Sequence, residues 1–135
     1  MMALTFSVPG DPVPQPRPRV STRGGFARAY VPAKHPVHSY RAAVAAAALE
    51  AGATPTTDAP ITVILDLVFA RPASHMTKKG LRKGAPTLPR FDVDNCAKAA
   101  LDALNGVAFA DDSQVAKLVV EKSYGTEART TVRIT

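Results

Sequence analysis

The order of signals along the chain predicts an α+β fold, one mixed β-sheet with two helices packed on one face. Three observations carry this expectation. Residues 60–70, PITVILDLVFA, are β-branched and apolar nearly throughout, the pattern of a central strand. Two alanine-rich runs of high helix propensity lie on either side of it. The other strand signals sit near the two ends of the chain, which gives the order β-(β)-α-β-α-β-β. The length of 135 residues suits a single domain spanning 1–135 with a small core.

Taken in order, ALTFSV reads as a first strand ended by Pro9-Gly10. DPVPQPRPRV follows, and its prolines at 12, 14, 16 and 18 bar helix and central strand alike. This predicts an extended, solvated arm carrying Arg17 and Arg19. GGFARAYV is a candidate short edge strand. The run SYRAAVAAAALEA predicts a first helix from Ser39, the expected N-cap, to Ala51, with Gly52 as its stop.

After the central strand, residues 71–90 change character. They hold Arg71, Lys78, Lys79, Arg82, Lys83 and Arg90, no acid, three prolines and two glycines. That composition predicts a long, mobile, cationic loop without a packed element. A second helix is expected from Asp94 or Asn95 to Asn105, ended by Gly106, with Ala97, Ala100, Leu101 and Leu104 as its buried stripe. QVAKLVVEKSYG and ARTTVRIT are expected to pair as a C-terminal hairpin around GTE.

The formal charge of +6 fits a protein that meets a polyanion, of which nucleic acid is the commonest. No run of about 18 apolar residues exists to span a bilayer. The opening residues lack the basic and apolar regions of a signal peptide, and the single Cys96 rules out an internal disulfide or a CxxC zinc site. A reducing bacterial cytoplasm, near the nucleoid, is the expected setting.

Against this positive background stand two acidic pairs, in RFDVDN at 90–95 and FADDSQV at 109–115. Asp92 and Asp94 straddle the entry to the second helix, and Asp94, Lys98 and Asp102 fall on one helical face. The strand after Asp111-Asp112 is expected to run beside the helix start and bring Asp112 back towards Asp92 and Asp94. Three converging carboxylates repel one another unless a cation sits among them, and hard oxygen ligands suit Mg²⁺, with Mn²⁺ as a substitute. Such ions activate water and stabilise the leaving oxygen of a phosphodiester. Lys98 is placed to orient water or neutralise a phosphate. A positive surface around an acidic hole is the outline of a metal-dependent nuclease. The bland alternatives are that Asp94 is an N-cap, Asp92 a partner of the helix dipole and Asp111-Asp112 a turn. His35, His38 and His75 lack metal-ligand spacing, and an acidic neighbourhood disfavours a Cys96 thiolate.

FDVDNCAKAALDALNGVAFADDSQV resembles the signature of the RusA family of Holliday junction resolvases, found in phages and prophages: D-x-D-N, a lysine four residues on, D-A-L-x-G, then D-D-x-Q. VPGDPVPQPRPRV is similar to that family's proline-arginine segment, and ARPASHMTKKGLRKGAP to its basic loop. The likeness spans nearly the whole chain in the same order. It implies a homodimeric, Mg²⁺-dependent endonuclease that nicks four-way junction DNA in strands of like polarity, with no small-molecule cofactor. It places catalysis on Asp92, Asp94, Lys98 and Asp112, and metal binding on Asp92, Asp94 and Asp112. Phe91 stands where many relatives have proline and Cys96 where an aliphatic residue is usual; neither change removes a ligand. Arg17, Arg19, Lys78, Lys79, Arg82, Lys83 and Arg90 are the expected DNA contacts. The competing functions are a non-catalytic DNA-binding module and a phosphotransfer enzyme acting on nucleotides.

Overall fold

A computed structural model describes residues 3–57 and 59–135 of the chain. Its main sheet has four strands in the order β1 (Leu4–Pro9), β8 (Arg129–Ile134), β4 (Ile61–Ala70) and β7 (Val115–Gly125). β4 runs parallel to β7 and antiparallel to β8, and β8 is antiparallel to β1. The helices α1 (Pro36–Glu50) and α2 (Val93–Leu104) contact each other; α1 also contacts β1 and α2 contacts β7. The expected mixed sheet with two helices is thus present. Two small hairpins accompany it, β2 (Arg19–Ser21) with β3 (Arg28–Tyr30) and β5 (Met76–Thr77) with β6 (Gly80–Leu81). Among the described residues, no helix is long and apolar enough to cross a membrane.

β4 takes the central place its composition predicts. Ile61, Val63, Leu65, Leu67 and Phe69 alternate onto one face, all buried with Val37, Val44, Cys96, Ala100, Leu104, Phe109 and Val132 in the core. At about 25 cal/mol per Å² of apolar area, such side chains supply the main drive for folding. Thr130 is fully buried among these side chains, and its Oγ1 lies 2.6 Å from the hydroxyl of buried Tyr40. The opposite face is polar, with Ser7 bonded to Thr131 at 2.9 Å and Asp66 3.9 Å from Arg129.

Several local expectations are corrected. β7 and β8 do not form a hairpin, because β8 inserts between β1 and β4. An apolar strand as long as β4 needs a neighbour on each edge, and that demand overrides the local turn signal of GTE. Where β7 ends, Gly125 is required by contact, since a Cβ there would sit 2.6 Å from Val68 Cγ1.

α1 begins three residues earlier than expected, at Pro36, and its N-cap is His35, not Ser39; His35 Nδ1 accepts from the Val37 N–H at 3.0 Å. Proline at the first helical position has no N–H to satisfy. α2 starts at Val93 with Asp92 as N-cap, and Leu101 is only partly buried.

The proline arm is not wholly solvated either. Pro12 is buried and Val13 to Pro16 are half-buried. The Gln15 N–H donates to the Asn95 carbonyl at 2.9 Å, and Arg41 donates to Gln15 Oε1 at 2.7 Å. The arm is therefore strapped across the first turn of α2. In the basic segment, the β5–β6 hairpin replaces the structureless loop. Arg71 ties it down by donating to the Pro86 carbonyl at 2.6 Å and stacking 4.2 Å over the Tyr124 ring, while Arg82 Nε donates to the Ser74 carbonyl at 3.0 Å. Buried Pro89 closes the segment against the body.

Candidate active site and nucleic-acid interface

The segment 71–90 leaves the end of β4 and enters α2, so the basic hairpin and the Asp92–Asp94 pair lie at one end of the molecule, beyond the carboxyl ends of parallel β4 and β7. Three contacts fix this placement. Phe91 stacks on Phe69 of β4 with ring centroids 5.1 Å apart. Lys122 of β7 donates from Nζ to the Phe91 carbonyl at 2.8 Å. The arm bonds to Asn95 as described. A cleft of about 400 Å³ adjoins the pair, lined among others by His75, Leu88, Arg90, Phe91 and Tyr124.

The two carboxylates are not spent on holding the helix. Asp92 is the N-cap residue, yet it makes no side-chain cap hydrogen bond; its Oδ2 is 3.5 Å from Asn95 Nδ2. Asp94 lies inside the first turn, so the idea that it caps α2 is not met. Both are exposed, as is Lys98 one turn further on, while Asp102 is half-exposed. Burial pushes the Cys96 thiol up to about 11; the Lys122 ammonium opposes this shift and Asp92 and Asp94 add to it. One lysine and two carboxylates therefore surround a buried, inert sulfur.

Lys122 escaped the sequence reading. Register, which local sequence does not state, gives it away: β7 sets Leu118, Val120, Lys122 and Tyr124 beside Val63, Leu65, Leu67 and Phe69, so Lys122 is a cation in an inward-facing row.

The other acidic pair lies elsewhere. Asp111 N-caps a short 3₁₀ turn, accepting from the Ser113 N–H at 3.4 Å and from the Ser113 hydroxyl, with Gln114 completing a capping box. These bonds hold the Asp111 carboxyl below its usual value. Asp111 thus serves the turn, leaving Asp112 exposed beside it.

The turn is anchored at the start of the strands: Gln114 Nε2 donates to the Ala59 carbonyl at 3.2 Å and Val115 pairs with Ile61. From Val115 to Lys122 is seven strand positions, about 23 Å. The expectation that the chain brings Asp112 back to Asp92 and Asp94 is therefore not met within one molecule. α2 runs its length between them, and β7 returns antiparallel to it. Among the described residues, no three of His, Cys, Asp and Glu are grouped to hold a metal ion. Asp92 and Asp94 have the donor chemistry that Mg²⁺ or Mn²⁺ takes, but one chain does not complete the three-carboxylate set.

Arg17, Arg19, Lys78, Lys79, Arg82, Lys83 and Arg90 are all exposed. The arm bearing the first two and the segment bearing the others both adjoin the Asp92–Asp94 end. The β2–β3 hairpin adds Arg23 and Arg28, which the sequence reading did not single out, beside Phe26, 76% exposed. His75 lies edge-on to Tyr124, its charged form disfavoured by loss of solvent and by nearby Arg82 and Arg71.

An α+β domain that gathers cations around an uncommitted acidic pair is of the class that acts on nucleic acid. Comparison with known proteins gives the family. The chain belongs to the RusA endodeoxyribonuclease family, whose profile, Endodeoxyribonuclease RusA, matches residues 9–135. An uncharacterized protein of Bacillus subtilis (strain 168), YqaN, is 37% identical over 142 aligned positions, covering 99% of this chain and 96% of its own.

Proposed function

We propose that this protein is a Mg²⁺-dependent, structure-specific endonuclease that resolves four-way DNA junctions by paired nicks, acting in recombination and repair in a bacterial cytoplasm. The observation that carries the reading is the Asp92–Asp94 pair. In a family of endodeoxyribonucleases, two carboxylates stand free of capping at the helix start, ringed by the arm and the basic hairpin.

In this reading Arg17, Arg19, Lys78, Lys79, Arg82, Lys83 and Arg90 bind backbone phosphates, which carry most of the affinity for DNA. Lys98 faces the scissile phosphate and offsets its charge. Asp92 and Asp94 supply oxygen donors for Mg²⁺, with Mn²⁺ as a substitute; a bound ion of this kind offers Lewis-acid chemistry to phosphodiester oxygens. Lys122 holds the Phe91 carbonyl and so orients the peptide that carries Asp92. The two equivalent cut positions of a junction fit a two-fold homodimer.

A DNA-binding module without chemistry is the second reading, favoured by the separation of Asp112 from the other two carboxylates. Asp94→Asn separates the two. Asp94 is exposed in the first turn and is not the cap, so asparagine there keeps the fold while a charge is lost. The nuclease reading expects nicking of a synthetic junction to disappear while junction binding stays equal or tightens. Wild-type nicking by Asp94→Asn removes that residue from catalysis.

A further inference from the structure

We propose that the β2–β3 hairpin selects branched over continuous DNA, with Phe26 at its tip stacking on a base pair that has lost a stacking neighbour at the branch point. The proposal rests on the junction reading for its ligand; the hairpin supplies the means of recognition.

β2 and β3 form a sheet of their own and place no side chain in the core, and every residue from 22 to 30 is exposed. A lone two-stranded hairpin is at best marginally stable in water, so it gains from a partner. Its apolar groups stand in solvent: Phe26 is 76% exposed and Val20 70%. The tip is nonetheless shaped. Gly24 and Gly25 both have φ +82°, where a side chain would be strained. The Arg23 N–H donates to Ser21 Oγ at 3.2 Å and the Gly25 N–H to the Thr22 carbonyl at 3.1 Å. These bonds fold the turn just before Phe26 and leave its ring in solvent.

Charge names the partner. Residues 12–49 contain six lysines and arginines, Arg17, Arg19, Arg23, Arg28, Lys34 and Arg41, and no acid. Register sets Arg19 opposite Tyr30 and Ser21 opposite Arg28, so both arginines share one face of the ribbon. A polyanion that also offers flat apolar faces is nucleic acid, whose bases stack on aromatic rings while its phosphates meet the cations. The ribbon is well placed for this. It starts four residues after Gln15, which is bonded to Asn95 at the start of α2. Four residues span at most about 14 Å, so the ribbon springs from beside the acidic pair.

The branch is what makes Phe26 selective. In continuous duplex both faces of every base pair are stacked, so an inserted ring must first separate neighbours. At a branch point the end pairs of the arms already have an open face, and the ring stacks there without that cost. Phe26 therefore adds to junction affinity and little to duplex affinity, whereas Arg19 and Arg28 serve both alike.

Binding to a four-way junction carrying 2-aminopurine at the branch, and to a continuous duplex of matching sequence, tests this with Mg²⁺ withheld. Wild-type protein is expected to prefer the junction and to change the 2-aminopurine fluorescence on binding. Phe26→Ala is expected to weaken junction binding about 5- to 150-fold, the range for one lost base–aromatic stack, to leave duplex binding within about twofold, and to lose the fluorescence change. Phe26→Trp is expected to keep the preference. Arg28→Ala is expected to weaken both substrates alike, with a salt slope lower by about 0.9. The proposal is overturned if Phe26→Ala weakens junction and duplex by the same factor, which marks a ribbon lying in a groove. It is equally overturned if that variant leaves both unchanged, if it alters only self-association, or if wild-type protein shows no preference for the junction. Adding Mg²⁺ to the same wild-type complex reports on the nuclease reading alone: a junction bound through Phe26 and never nicked sinks that reading and leaves the recognition role standing.

Discussion

Replacing Lys122 with methionine keeps the aliphatic stem and removes the ammonium that donates to the Phe91 carbonyl at 2.8 Å. A hydrogen bond from a charged donor contributes about 1.5–3 kcal/mol. Lys122 is half-buried and Phe91 exposed, so water replaces part of the bond, and the loss is expected near 1 kcal/mol. For a chain of this length that lowers Tm by about 3–5 °C. The effect on nicking should be disproportionate, because the freed carbonyl belongs to the residue before Asp92. A displacement of about 1 Å in a reacting group costs on the order of 100-fold in rate, so a loss of tenfold to a hundredfold is expected. Calorimetry gives Tm, single-turnover nicking gives the rate, and junction binding with Mg²⁺ withheld separates affinity from chemistry. Lys122→Arg retains a donor and is expected to recover most of the rate. Wild-type nicking by Lys122→Met, together with the small fall in Tm, refutes the positioning role and leaves Lys122 as a packing residue.

Changing Lys78, Lys79, Arg82 and Lys83 together to alanine should weaken junction binding and reduce the salt slope by up to about 3–4, at about 0.9 per lost phosphate contact; an unchanged slope in a filter-binding titration removes the hairpin from the interface. Burial pushes the Tyr40 phenol from 10.0 up to about 12, with the Thr130 bond working the other way and Cys96 adding slightly. The neutral phenol is thus favoured by folding, a contribution complete below pH 10 and lost as pH rises towards 12. Tyr40→Phe should flatten stability across that alkaline window in denaturant titrations, while leaving the buried Thr130 hydroxyl unpaired at a cost of about 1–3 kcal/mol near neutrality. An alkaline stability profile identical to wild type contradicts it. Cys96, its thiol held high by burial, should resist alkylation at pH 8 until the protein is unfolded; rapid labelling of the native protein indicates that the α2 start is open.

How far the sequence could be read depended on whether a feature was decided locally. β4 was legible because an unbroken apolar run states its own burial, and α2 because its alanine stripe and Gly106 mark face and end. The start of α1 was missed because a histidine cap and a proline at the first position are weaker signals than Ser39 three residues later. β8 was misplaced because hairpin signals are local, whereas the demand of β4 for two neighbours is a property of the whole sheet. The strapping of the arm over Asn95 likewise depends on what lies beneath it in space.

The acidic pairs show the same division. Spacing correctly put Asp92 and Asp94 at one helix entry. Whether Asp112 returned to them depended on the direction of β7, and β7 carries it to the far end. Lys122 was visible only once strand register showed which side of β7 it occupied.

The most direct test of the central claim is strand-resolved mapping of nicks on a fixed four-way junction, with Mg²⁺ titrated from zero. The account predicts no cutting without Mg²⁺, and paired nicks in two strands of like polarity once the ion is supplied. A protein that binds the junction at every Mg²⁺ concentration and never breaks a phosphodiester contradicts it, and makes the acidic pair part of a binding module.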